Sequence, residues 1–165
     1  MGFDHLWAGW RSEYVAEASS ASMAAGECLF CALVTMGDHE AMILERTEET
    51  FTVMNAYPYT SGHVMVVPIR HEARLAALSD SEANDLMSAT RRATVAIERT
   101  FSPDGINVGA NLGRGSGAGI PGHLHVHVLP RWSGDTNFMT AIAEVRVLPE
   151  ALAKSYERLT KSWPR

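Results

Sequence analysis

His123-Leu124-His125-Val126-His127-Val128-Leu129-Pro130 alternates an imidazole with an apolar side chain through Val128. A period of two is that of a β-strand, so His123, His125 and His127 share one face and Leu124, Val126 and Val128 the other. Three imidazoles aligned on one sheet face, with a fourth at His63, are expensive to desolvate without a task. Two tasks suit the row. Imidazoles two apart on a strand can converge on a metal ion. Alternatively, one imidazole attacks phosphorus while its neighbours donate hydrogen bonds to the phosphate oxygens. The glycine-rich run Gly113-Arg114-Gly115-Ser116-Gly117-Ala118-Gly119 just upstream favours the second task, because glycines let several backbone N–H groups converge on an anion.

Before the glycine run, Ile106 to Asn111 alternates as a strand does, and Pro103-Asp104-Gly105 breaks the helix that precedes it. That helix opens on Ser79-Asp80-Ser81-Glu82, a capping box, and carries Leu86, Thr90, Ala93, Ile97 and Phe101 on one face. Further upstream, His63 to Pro68 is a strand apolar enough to lie centrally, led in by the turn-rich loop Asn55 to Gly62. Ala41 to Leu44 and Phe51 to Met54 read as a hairpin. Leu6 to Ala18 reads as an amphipathic helix, Ser19 to Glu27 as a connector, Cys28 to Cys31 as a knuckle, and Pro149 to Trp163 as a closing helix. The expected fold is α+β: an antiparallel sheet of about five strands with the long helix Ser79 to Phe101 against one face.

The chain has 165 residues, 46% hydrophobic and 20% charged, the profile of one globular domain spanning 1–165. A net charge of -5 gives no global field for a polyanion, so a nucleic-acid polymer is excluded as partner. A small phosphorylated ligand needs only a local cluster of donors. No window reaches the roughly 18 to 20 consecutive apolar residues of a membrane span. Met1 to Trp10, with Asp4, His5 and two Trp, lacks the pattern of a secretory signal, so a cytoplasmic location is expected. The only cysteines, Cys28 and Cys31, are spaced as half of a tetrahedral metal site, as a redox pair or as two buried thiols.

His123 to Leu129 resembles the motif of the histidine triad (HIT) family of nucleotide hydrolases and transferases. Asn55 to Pro68 is similar to that family's ribose-contacting strand and Gly-His turn, and the likeness extends over roughly residues 27–140, with 1–26 and 141–165 as helical extensions. Pro130 to Met139 resembles the bacterial branch that includes diadenosine tetraphosphate phosphorylases and hydrolases. The resemblance implies a HIT-like sheet, a homodimer, and a dinucleoside polyphosphate or related nucleotide as substrate. It implies that His125 is the nucleophile, forming a covalent nucleotidyl intermediate, that His127 donates to the phosphate oxygens, and that His63 orients its neighbours. Asn55 then holds the ribose hydroxyls, Asn111 reaches the α-phosphate, and Gly117 and Gly119 line the nucleotide site.

The same resemblance, shared with galactose-1-phosphate uridylyltransferases, implies a structural zinc held by Cys28, Cys31, His71 and His123, and no organic cofactor. His127, where uridylyltransferases carry glutamine, points to hydrolase or phosphorylase chemistry. One departure bears on the leaving group: family hydrolases usually carry Gln and then Ser or Thr where this chain has Gly119 and Ile120. Ser116 is a candidate stand-in, against the plainer reading of a loop serine. Rival readings are a metalloenzyme in which the three histidines share the metal, a nucleotide-binding regulator with little turnover, and a purely structural zinc module.

Overall fold

The computed structural model describes residues 28–135 and 148–164. The helix expected over Leu6 to Ala18, its connector and the stretch Thr136 to Met139 lie outside the described residues. Five strands, β1 (Ile43–Arg46), β2 (Thr50–Met54), β3 (Val64–Pro68), β4 (Gly105–Ala110) and β5 (Val126–Arg131), form one sheet in the order β1-β2-β3-β5-β4. Every neighbouring pair is antiparallel. The last strand in sequence is therefore an inner strand, pairing Met65 with His127 on one side and Gly109 with His127 on the other. β3 takes the middle of the sheet, as its unbroken apolar run requires.

Among the described residues four α-helices accompany the sheet: α1 (Leu29–Thr35), α2 (Asp38–Ala41), α3 (Asp80–Phe101) and α4 (Leu152–Ser162). The expected knuckle at the cysteines is instead the start of α1, with Cys28 at its N-cap and Ala32 N–H donating to the Cys28 carbonyl at 3.0 Å. α2 follows where the sequence shows only a hairpin arm, and Met42 ends it in the left-handed region at φ 54, so β1 begins at Ile43. Both helices are too short for a periodic signal to register.

α3 is the long helix expected, and its capping box is present: Glu82 N–H donates to Ser79 Oγ at 3.1 Å and Ser79 N–H donates to Glu82 Oε2 at 2.7 Å. Its apolar stripe, with α4, covers one sheet face, where Leu86, Ala93 and Ile97 meet Val64, Val66, Leu124 and Val128. Burying that many branched side chains contributes roughly 1.5 to 3 kcal/mol for each of the larger ones. On the opposite face Phe30, Phe51, Val53, Met65 and Val67 make a second core under α1. The strand period thus sends Leu124 and Val128 toward α3 and the imidazoles toward α1, as the alternation implied. Among the described residues no helix is long and apolar enough to cross a membrane.

Candidate active site and metal centre

The four side chains Cys28, Cys31, His71 and His123 come from three distant stretches, yet their ligand atoms all lie within 4.8 Å of one another. Cys28 Sγ is 3.2 Å from His123 Nδ1, and Cys31 Sγ is 3.3 Å from His71 Nδ1 and 3.8 Å from His123 Nδ1. A tetrahedron with Zn–S near 2.3 Å and Zn–N near 2.0 Å has S to N edges of about 3.5 Å, so the donor set has the dimensions and softness of a structural zinc site. His123 Nε2–H donates to the Pro68 carbonyl at 2.9 Å, which leaves the lone pair on Nδ1, the atom facing the sulfurs. Burial raises the Cys31 thiol, and Cys28 beside it raises it further, a penalty that a cation between them would reverse.

The loop that carries His71 is clamped at both ends. Arg70 reaches Glu82 at the start of α3 through Nε at 2.6 Å and Nη2 at 2.8 Å, and Glu72 lends its carbonyl to Leu124 N–H at 2.7 Å. Glu72 also accepts from the backbone N–H groups of Ala73 and Arg74. Sequence reasoning singled out neither Arg70 nor Glu72, because an Arg-His-Glu triplet in a loop carries no periodic signature.

His125 lies behind His123, 5% exposed, with Nδ1 2.9 Å from the His123 carbonyl. A carbonyl only accepts, so the proton is on Nδ1 and the lone pair on Nε2. Burial holds the ring below the ordinary histidine pKa, opposed by that carbonyl bond, and it is neutral at pH 7. Burial lowers His123 too, opposed by the Pro68 carbonyl bond and helped by His71 and His125. Phe30 packs against both rings, with centroids 5.4 Å from His123 and 5.1 Å from His125. His127 follows at 4.9 Å from the His125 ring, and its Nδ1 is 2.9 Å from Nε2 of the fully buried His63. Tyr59, which the sequence did not single out, lies over His63 at 4.7 Å and stacks on His127 at 5.9 Å.

Asn55 closes the row, its Nδ2 3.2 Å from His63 Nδ1. Asn111 comes one step beyond the last β4–β5 pair, Ala110 with Val126, which continues the register toward His125. Gly117, at φ 81, and Gly119 lie in the loop leading to the histidines. Ser116 Oγ donates to the Gly113 carbonyl at 2.7 Å, which supports the loop-serine reading.

Fold and site together define a sheet-borne row of imidazoles beside a Cys/His cluster that could hold a metal ion. The HIT domain family model matches residues 37–134, and the chain belongs to that family. It is 40% identical over 167 residues to an AP-4-A phosphorylase of Mycobacterium tuberculosis, covering 97% of this chain and 84% of that protein. It is 36% identical over 95 residues to a bis(5'-nucleosyl)-tetraphosphatase (asymmetrical) of Schizosaccharomyces pombe, covering 58% of this chain and 52% of that one. Among solved structures, a Zn-bound histidine triad family protein from Mycobacterium smegmatis superposes with a TM-score of 0.67 at 27% identity, covering 82% of this chain and 91% of that one.

Proposed function

We propose that this chain is a dinucleoside polyphosphate phosphorylase working through His125. The observation that carries the reading is the bond from His125 Nδ1 to the His123 carbonyl, which directs the lone pair to Nε2. In line with the leaving oxygen, Nε2 attacks the α-phosphorus, a P–N bond forms, and the bridging P–O bond breaks to expel the remaining nucleotide. The positive charge that develops on the ring is shared with the His123 carbonyl through Nδ1–H. His127 donates to the phosphate oxygens, His63 orients it, Asn111 reaches the α-phosphate, and Gly117 and Gly119 offer backbone donors. Asn55 stands by the ribose. In the second half, an oxygen of inorganic phosphate attacks the same phosphorus and restores the free imidazole; on diadenosine tetraphosphate the products are ATP and ADP.

The relative from M. tuberculosis, named an AP-4-A phosphorylase and matched over 97% of this chain, supports phosphate as second acceptor. Water as acceptor is the alternative, favoured by the name of the S. pombe relative, and it releases AMP. Cys28, Cys31, His71 and His123 hold a structural zinc in this reading, with all four positions filled by protein so that none remains for water. The partner is a second copy of the chain, in the cytoplasm; the dimer reading is supported by β4, which among the described residues ends the sheet with Val108 50% exposed and Leu112 just beyond it 49% exposed.

The deciding experiment incubates the enzyme with diadenosine tetraphosphate, with and without phosphate, quenches in denaturant at alkaline pH, where a P–N bond survives, and identifies products and protein mass. Phosphate-dependent ADP and an AMP adduct that His125→Ala abolishes are expected. Cleavage at the native rate in His125→Ala overturns the mechanism. AMP formed without phosphate selects hydrolysis, and tight AMP binding without any cleavage selects a regulator.

A further inference from the structure

An imidazole that binds a metal is ordinarily aimed by the bond its other ring nitrogen makes. His123 meets that requirement, its Nε2–H donating to the Pro68 carbonyl at 2.9 Å. His71 does not. Its Nδ1 faces Cys31 Sγ at 3.3 Å, the residue is exposed, and among the described residues no hydrogen-bond partner meets its Nε2. The direction of this ligand must therefore be set through its backbone, and the residues on both sides of it are tied down.

Arg70, just before it, closes a planar fork on Glu82, with Nε 2.6 Å from Oε1 and Nη2 2.8 Å from Oε2, and Nη2 also donates to the Ala77 carbonyl at 2.9 Å. Glu82 is a firm anchor: it is 8% exposed and is the N3 residue of the 22-residue helix α3, whose capping box it completes with Ser79. Glu72, just after His71, folds its carboxylate onto the N–H groups of Ala73 and Arg74 and gives its carbonyl to Leu124 N–H, beside the ligand His123. His71 is thus slung between the start of α3 and the lead-in to β5. We infer that Arg70 is a positioning residue for the candidate metal centre: locked onto Glu82, it holds the His71 backbone so that Nδ1 faces the cysteines without help from Nε2. The inference rests on the zinc reading of the four side chains. An exposed ion pair adds little to stability by itself. Its consequence here is geometric, because a tetrahedral site tolerates departures of only about 0.2 Å in its bond lengths.

Arg70→Met keeps the aliphatic stem and removes the fork. The Arg70 side chain is 48% exposed, so no cavity opens, and Ser79 still pairs with Glu82, so the helix cap stays. Zinc affinity of the reduced full chain is read by competition with a chromophoric chelator. Arg70→Met should bind zinc about 10-fold more weakly, the lower end of the loss on removing an outer support of a metal ligand. In His71→Ala, where the ligand it aims is gone, adding Arg70→Met should weaken binding no further. Undiminished affinity in Arg70→Met would overturn the inference, and so would an equal fall in both backgrounds, which would reduce Arg70 to a general support of the fold. A metal-free readout stands beside this one. The rings of His71 and His123 lie edge to face with centroids 5.0 Å apart, so nuclear Overhauser contacts between their carbon-bound protons should be present in the wild type and lost in Arg70→Met. Their persistence in the variant would overturn the inference, as would their absence from the wild type, which needs no variant to fold. If the wild type takes up no zinc, the metal reading fails while the ring contact still decides whether Arg70 places His71.

Discussion

Gly62→Ala tests how the turn before β3 places His63. Gly62 has φ +84, and a Cβ built there lies 2.4 Å from Phe101 Cε2, 2.9 Å from Cζ and 3.0 Å from Cδ2. The ring cannot swing aside freely, because Trp132 packs edge-on at 6.4 Å between centroids and the Arg158 guanidinium sits 4.7 Å over its face. A left-handed conformation costs an L side chain about 1 to 2 kcal/mol. Forced overpacking adds about 1 to 3 kcal/mol. The total of about 2 to 5 kcal/mol corresponds to a drop of roughly 4 to 20 °C in Tm for a chain of this size. Urea denaturation of wild type, Gly62→Ala, Phe101→Leu and the double variant separates the two causes. Trimming the ring should relieve the clash, giving a coupling of about 1 to 3 kcal/mol, and should leave the backbone penalty in place. Because His63 N–H bonds to the Thr60 carbonyl across this turn at 3.2 Å, kcat should fall as well at temperatures where the variant stays folded. A Gly62→Ala protein within about 0.5 kcal/mol of wild type, the range of an inert surface change, would refute the account.

Metal analysis should find about one zinc per chain, the stoichiometry of a closed four-ligand site, and Cys28→Ser with Cys31→Ser should lose it together with thermal stability; full stability at a zinc content far below that would remove the metal. The bonds from Arg70 and the Ser79 N–H lower the Glu82 carboxyl from 4.5 to about 2. A folded value below the unfolded one means that this stabilisation is present above the unfolded value and lost as pH falls from about 4.5 to about 2. Acid denaturation should show the loss in wild type, and Glu82→Gln should flatten it; identical profiles would contradict the assignment. Val108→Asp places a charge on the exposed β4 edge and should convert a dimer to monomer in light scattering; an unchanged mass would move the interface elsewhere.

The sequence by itself determined the sheet, the long helix and the histidine face. Periodicity of two in His123 to Val128 and of 3.6 in Leu86 to Phe101 reports which side chains must be buried together, and burial of apolar area dominates the fold. It also supplied the cysteine pair and, through family resemblance, the histidines that join it. Tertiary structure alone decided how those groups act. The short helices α1 and α2 left no periodic trace, and Tyr59 and Arg70 act through contacts with residues far along the chain or around a loop. Above all, the proton positions on His123, His125 and His63 are set by the Pro68 and His123 carbonyls and the Tyr59 N–H. Backbone atoms are the same at every residue, so no pattern of side chains can announce which imidazole meets which of them. Only the folded geometry turns the lone pair of His125 to Nε2, as the proposed attack requires.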